Sequence, residues 1–265
     1  MTPPPRYGFS FPHMTQTLAG DFDYDTHGHG YARRRRPDPR IAALIHAALG
    51  DARTVLNVGA GAGSYEPGDR YVLAVEPSAA MRAQRPPGAA PALTATAERL
   101  PFDDDSFDAA MATVTVHQWR DTAGGLAELR RVARGPVVVL TFDGDELERL
   151  WLAAYAPELI AAERRRYPPI ATVAAAIGRA EVIEVPIPFD CVDGFTEAYY
   201  ARPEAFLDEG VRAAQSAWGF VRPEATRRAV ERLRADLGSG AWEQRYGYLR
   251  EQPEFRGSLR LLVGR

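Results

Sequence analysis

The chain has no lysine. All 32 of its basic residues are arginine. A genome rich in GC codons is enough to explain the bias, but the chemical consequence stands: no reaction through a lysine Schiff base is open to this protein. Cysteine is almost as scarce. With Cys191 alone, neither an intramolecular disulfide nor a thiolate metal cluster can form, which suits a reducing, cytoplasmic setting. Long apolar runs are missing too. The longest, such as PVVVL, are far too short to span a bilayer, and the opening MTPPPRYGFSFPHM has no apolar segment of the kind that marks a signal peptide. The net charge of −3 gives no electrostatic reason to expect nucleic acid or an anionic membrane as a partner.

What remains is a chain of 265 residues with 46% hydrophobic residues, enough to bury one large α/β core. Residues 1–20 are rich in proline and turns. The stretch DPRIAALIHAALG predicts a helix: Asp38 caps it, Pro39 suits its first position and Gly50 ends it. Ile41, Leu44, Ile45 and Leu49 fall on one face. From there strands and helices alternate. TVLNV (54–58), YVLAVE (71–76), ALTAT (92–96), part of 106–116 and GPVVVLTF (135–142) read as strands, with helices from PSAAMRAQR and TAGGLAELRRVAR between them. EVIEVPIPF (181–189) and GSLRLLVGR supply two more. This order predicts an α/β fold: a Rossmann-like, seven-stranded, mainly parallel sheet with helices on both faces, one antiparallel strand near the C-terminus, and a helical cap. The boundaries read as an approach or lid segment over 1–40, a core over 41–194, a cap over 195–250 and a final core strand over 251–265.

Strand TVLNV runs straight into Gly59, Gly61 and Gly63. In a doubly wound sheet, ligands bind beyond the carboxyl ends of the strands, and a glycine turn lets backbone N–H groups approach them. An acid at the end of the second strand then accepts from ribose hydroxyls. Glu76 holds that place, seventeen residues past Gly59. A dinucleotide fingerprint requires a third glycine at position 64, where this chain has Ser64. The spacing therefore departs from the dinucleotide fingerprint and leaves the ligand open.

The segment ATAERLPFDDDSFDAAMATVTVHQWRDTAGGLAELRRVAR, together with VLNVGAGAG and VEPS, resembles the class I S-adenosylmethionine-dependent methyltransferases. It is most similar to the small-molecule branch that carries A-E-x-L-P-F, then S-F-D, then a helix ending E-x-x-R-V. The resemblance covers roughly residues 54–142. YARRRRPDP also looks like that branch's Y-x-x-x-R-P approach segment, one residue longer here. The resemblance implies S-adenosyl-L-methionine as cofactor. It places Tyr31, Arg36, Asn57, Gly59, Ala60, Gly61, Gly63, Glu76, Pro77, Met81, Thr96, Ala97, Glu98 and Thr113 around it. Two positions depart from the family pattern. Asn57 stands where many relatives have an acid, and Thr96 stands where many have the aspartate that accepts from the adenine amino group.

Methyl transfer from a sulfonium needs alignment, exclusion of water and, for some acceptors, a place for a proton. His117, just after the fourth strand, is the candidate base, with a pocket wall as its plainer role. Tyr24, His117, Gln118, Trp119, Tyr199, Tyr200 and Trp218 are candidates for contact with a small-molecule acceptor. His27 and His29 lie one glycine apart, but no ligand pattern joins them and no metal is expected. The reading is an O- or C-methyltransferase of an aromatic or carboxylate-bearing metabolite, in secondary metabolism, as a monomer or homodimer. A non-catalytic subunit that only holds the cofactor is the alternative. The charge, and VTVHQW where amino-base methyltransferases carry an N/D-P-P-Y/F motif, argue against nucleic acid.

Overall fold

The computed structural model describes residue 23, residue 25 and residues 34–265. Helix α1 (Pro39–Ala48) begins as predicted, with the Asp38 carboxylate accepting the Arg40 N–H at 3.0 Å. Ile41, Ile45 and Leu49 pack inward, while Leu44 is exposed and adds nothing to the core.

The strands are β1 (Thr54–Val58), β2 (Tyr71–Val75), β3 (Ala92–Leu93), β4 (Ala109–Thr113), β5 (Val137–Phe142), β6 (Ala180–Glu184), β7 (Ile187–Pro188), β8 (Glu254–Phe255) and β9 (Leu259–Gly264). A seven-stranded sheet runs in the order β3-β2-β1-β4-β5-β9-β6. β1 to β5 pair in parallel, and β9 lies antiparallel to both β5 and β6. The order reverses between β1 and β4, which puts the ligand-binding crevice at their carboxyl ends. Central β5 is buried at every position, as expected for a strand covered on both faces.

One predicted strand divides. EVIEVPIPF carries β6, then breaks at Val185 and Pro186, and β7 leaves the main sheet to pair with β8. Pro186 lacks the N–H a ladder requires. The remaining helices are α2 (Ala79–Arg82), α3 (Thr122–Val132), α4 (Pro157–Arg166), α5 (Ile170–Ala176), α6 (Glu209–Ala213), α7 (Pro223–Ser239) and α8 (Ala241–Tyr246). The helical layer beside the sheet draws on two stretches, 147–167 and 196–251. Trp151 joins them, edge-on to Trp242 and Phe206 with centroids 5.6 and 5.7 Å away. No helix among the described residues is long and apolar enough to cross a membrane.

Candidate active site

Two adjoining clefts open at the carboxyl ends of β1, β4 and β5. The first, about 530 Å³, is lined by the glycine turn (Gly59, Ala60, Gly61, Ala62, Ser64), by Tyr65, Glu76 and Met81, by Thr113 to Thr115, and by Arg35, Gln118 and Asp193. The turn is shaped by its glycines. Gly59 has φ +68°, and a Cβ there would lie 2.2 Å from the Thr115 hydroxyl. Gly61 has φ +52° and faces the Met81 methyl. Glu76 closes the turn from β2. One carboxylate oxygen accepts the Gly61 N–H at 2.7 Å and the other accepts the Ser78 N–H at 2.8 Å. Burial pushes the Glu76 carboxyl upward, and these two N–H groups oppose that shift. An ionised carboxylate has about four acceptor positions, so capacity remains for two ribose hydroxyls.

Below the turn, Asn57 is fully buried and does not line the cleft. Its amide donates to Glu66 at 3.0 Å, and Glu66 is in turn paired with Arg85 at 2.8 Å. An amide beside Glu66 avoids two close carboxylates. Gly63 has φ +92° and packs beside Arg85. Pro77, Thr96, Ala97 and Glu98 lie outside the cleft lining. The Glu98 carboxylate is occupied at the start of α3, where it accepts the Arg120 N–H at 2.9 Å.

Arg36 is exposed and lies outside both clefts. Arg35 takes the inward position instead. Arg35 donates to Asp193 at 2.6 Å, and the Tyr65 hydroxyl donates to the same carboxylate at 2.7 Å. Asp193 is buried and ties the approach segment, the glycine turn and the 190–195 loop together. Tyr24 and Tyr31, like His27 and His29, lie outside the described residues.

The second cleft, about 440 Å³, lies on the helical side. It is walled by His117, Phe142, Tyr167 and Phe195, with Glu163, Glu197 and Gln215 among its polar residues. Arg35, Val114 and Gln118 line both clefts. Val114 has φ +52°, a conformation that costs a β-branched residue of order 1–3 kcal/mol and clusters at functional sites. The ring of Tyr167 packs on His117 with centroids 4.7 Å apart and on Phe142 at 5.4 Å. His117 is buried and its Nδ1 has no hydrogen-bond partner among the described residues. Its Nε2 lies 3.3 Å from the Gln118 amide. Burial, with Arg166 and Arg35 nearby, holds the imidazole well below its ordinary titration range.

The predicted cap aromatics do not form this wall. Tyr200 is fully buried, stacked on Phe255, with its hydroxyl donated to the Gln252 carbonyl at 2.7 Å. Tyr199 packs edge-on against Phe206 under the Arg202 guanidinium. Trp218 reaches the cleft only through Gln215, to which its indole N–H donates at 3.1 Å. Trp119 lies over Gly125 on α3. The residues that replace them have legible signals in retrospect. Phe142 ends β5 at the ligand-binding edge, and Glu163 is an acid on the apolar stripe of α4.

Comparison with known proteins matches this geometry to a family. The model for a methyltransferase domain, Methyltransf_11, matches residues 56–139. A solved structure from Anabaena variabilis ATCC 29413, described as a candidate methyltransferase of an antibiotic biosynthesis pathway, is similar over 88% of this chain and 99% of that one. Its sequence identity is 30% and its TM-score 0.82. The [4+2]-cyclase SpnF shares the fold at 15% identity and a TM-score of 0.51, over 85% of this chain and 80% of that one. The curated proteins give no significant match. The chain belongs to the class I S-adenosylmethionine-dependent methyltransferases. Its cofactor is S-adenosylmethionine, and the glycine cradle with Glu76 at its mouth fits that molecule.

Proposed function

We propose that the protein transfers a methyl group to oxygen or carbon of a small aromatic or carboxylate-bearing molecule held in the second cleft. One observation carries this reading: the cofactor cleft and the aromatic cleft share Arg35, Val114 and Gln118 as a common wall. A methyl-bearing sulfur on one side and a flat acceptor on the other would meet there. S-adenosylmethionine, when bound, supplies the activated methyl group. Glu76 holds the ribose, and the turn from Gly59 to Gly61 and Met81 line the rest. Phe142, Tyr167 and Phe195 orient a flat acceptor and exclude water. Alignment of this kind supplies roughly 7–11 kcal/mol of barrier reduction without a catalytic base. His117, neutral and fixed by Tyr167, positions the acceptor and accepts from it weakly. The pathway of the Anabaena relative supports a place in secondary metabolism. The single cysteine suits a cytoplasmic enzyme.

Calorimetric titration with S-adenosylmethionine and S-adenosylhomocysteine, with NAD as control, tests the cofactor half. Micromolar binding of the first two and none of NAD is expected. The acceptor half is tested by transfer of labelled methyl to a panel of phenols, hydroxy acids and aromatic amines. Exclusive labelling of the amines would overturn the oxygen-or-carbon assignment.

A further inference from the structure

The acceptor cleft contains two buried acids with no role so far. Glu197 receives the Ser258 N–H on its two carboxylate oxygens, at 3.0 and 3.1 Å. Glu163 is less well satisfied. Its Oε1 lies 3.2 Å from the Thr196 hydroxyl, and its Oε2 has no hydrogen-bond partner among the described residues.

A proton count around Thr196 is informative. The Thr196 hydroxyl also lies 3.0 Å from Gln215 Oε1. That Gln215 atom is fixed as an oxygen, because the Trp218 indole, which can only donate, donates to it. The Gln215 amide nitrogen faces the Gly194 carbonyl at 3.4 Å. Thr196 thus has one hydroxyl proton for two acceptors, Gln215 Oε1 and Glu163 Oε1. Glu163 receives at most a shared hydrogen bond on Oε1 and, among the described residues, none on Oε2.

The surroundings agree. Burial pushes Glu163 up to about 7, against the hydrogen bond from Thr196 and the opposing charges of Arg166 and Arg35. Glu197, the next acid along the wall, is pushed up to about 7 by burial and by Glu163 itself. His117 stays neutral, and the Tyr167 ring covers it. Glu163 therefore exchanges its proton close to neutral pH, as a group matched to the pH at which an enzyme works.

We propose that Glu163 is the proton acceptor of this cleft, and that the molecule methylated there is an aromatic alcohol whose hydroxyl faces Glu163. The proposal rests on the methyl-transfer reading of the two clefts. The aromatic wall of Phe142, Tyr167 and Phe195 selects a flat ring. Arg35 and Arg166 beside Glu163 disfavour a cationic amine. In the transfer, a lone pair of the acceptor oxygen forms the new O–CH₃ bond. The S–CH₃ bond breaks with its electron pair left on sulfur, and the O–H proton passes to the Glu163 carboxylate, which becomes the neutral acid. The ionised form of Glu163 is the working one, so the rate rises as pH rises through about 7.

Three measurements on the full chain test this. Infrared titration between roughly pH 5 and pH 9 is expected to show protonated-carboxyl absorption in the wild type that is lost as pH rises, with one component that is missing in Glu163→Gln and retained in Glu197→Gln. A band unaffected by Glu163→Gln overturns the proposal. Thr196→Val keeps Glu163 in place and is expected to move the midpoint of the band upward; no movement also counts against it. Phenol is then titrated into protein loaded with S-adenosylhomocysteine. Binding is expected to be tighter at pH 8 than at pH 6, and about tenfold weaker or more in Glu163→Gln, without the pH dependence. Equal affinity in both proteins, or no binding of phenol to the loaded wild type, overturns the proposal, and aniline binding more tightly than phenol overturns the alcohol. S-adenosylhomocysteine affinity serves as the internal control. It stays unchanged in Glu163→Gln, and its absence from the wild type would sink the methyl-transfer reading while the infrared titration still decides where the proton sits.

Discussion

The Glu76 carboxylate receives the Gly61 N–H at 2.7 Å. This contact joins the end of β2 to the centre of the glycine turn, so the acid proposed to hold the ribose also holds the turn beneath it. With Ser78 on the other oxygen, the carboxylate is preorganised before any ligand arrives, and the cost of orienting it on binding is low.

Glu76→Ala is therefore expected to do two things. It removes a charged acceptor from two ribose hydroxyls, which weakens S-adenosylhomocysteine by about a hundredfold or more. It also leaves the Gly61 and Ser78 N–H groups without their acceptor, at a stability cost of about 1–3 kcal/mol. Calorimetry and urea unfolding on the same preparation separate the two effects. An unchanged affinity for S-adenosylhomocysteine would refute the ribose assignment.

Gly59→Ala is expected to cost both stability and cofactor binding. The new methyl would meet the Thr115 side chain at 2.2 Å, on a backbone with φ +68°. Thr115→Ala in the same chain relieves the contact but not the backbone strain, so it restores part of the stability and not all of it. The double mutant unfolding no later than Gly59→Ala alone would show that Thr115 is not what fixes this position.

Much of this was legible in the chain itself. The alternation of strands and helices gave the sheet, and Gly59, Gly61 and Glu76 meet where their spacing placed them. Side chains brought in by the irregular parts were not legible. Arg35 rather than Arg36 faces the clefts because an approach segment with no periodicity carries no register. Tyr200 and Trp218 are aromatic for the reason most large rings are: they fill the core between helices. Glu163 and Glu197 stand on elements distant in sequence and become a pair only when α4 packs on the turn after residue 195. Nothing in local sequence encodes that distance.

Asn57→Asp tests the departure that looked most damaging to the cofactor site. Glu66 sits 3.0 Å from the Asn57 amide, so an aspartate there sets two carboxylates against one arginine, Arg85. The expected result is a loss of about 1–3 kcal/mol of stability at neutral pH. Acidification should recover part of it as one carboxylate takes a proton. Unfolding curves at pH 5 and pH 8 check the direction. A variant as stable as the wild type at pH 8 would mean that Glu66 turns away from β1.

Asp193 links Arg35 and Tyr65, and its removal should be felt at both. Asp193→Ala leaves the Arg35 guanidinium, itself largely buried, without its carboxylate. Breaking a buried pair from one side costs about 3–5 kcal/mol. Tyr65→Phe removes only the hydroxyl donated to Asp193 and should cost about 1 kcal/mol. The ratio of the two, read from denaturant midpoints, distinguishes a buried charge network from ordinary packing. Equal small losses would place Arg35 in solvent.

Glu197 carries a pH dependence with a definite sign. Its carboxyl is pushed up to about 7 in the folded protein, by burial first, from an ordinary value of 4.5. Between those two values the folded state binds a proton that the unfolded state does not, so stability falls as pH rises. Below 4.5 the contribution is fully present, and above about 7 it has been lost. The slope attributable to one such group approaches about 1.4 kcal/mol per pH unit. Glu197→Gln removes the titrating proton and keeps an oxygen to accept from Ser258. Whatever its absolute stability, its unfolding free energy should fall less steeply than that of the wild type between pH 5 and pH 7, and Glu163→Gln should behave the same way. Parallel pH profiles for wild type and both variants would mean that these acids are ionised across the range.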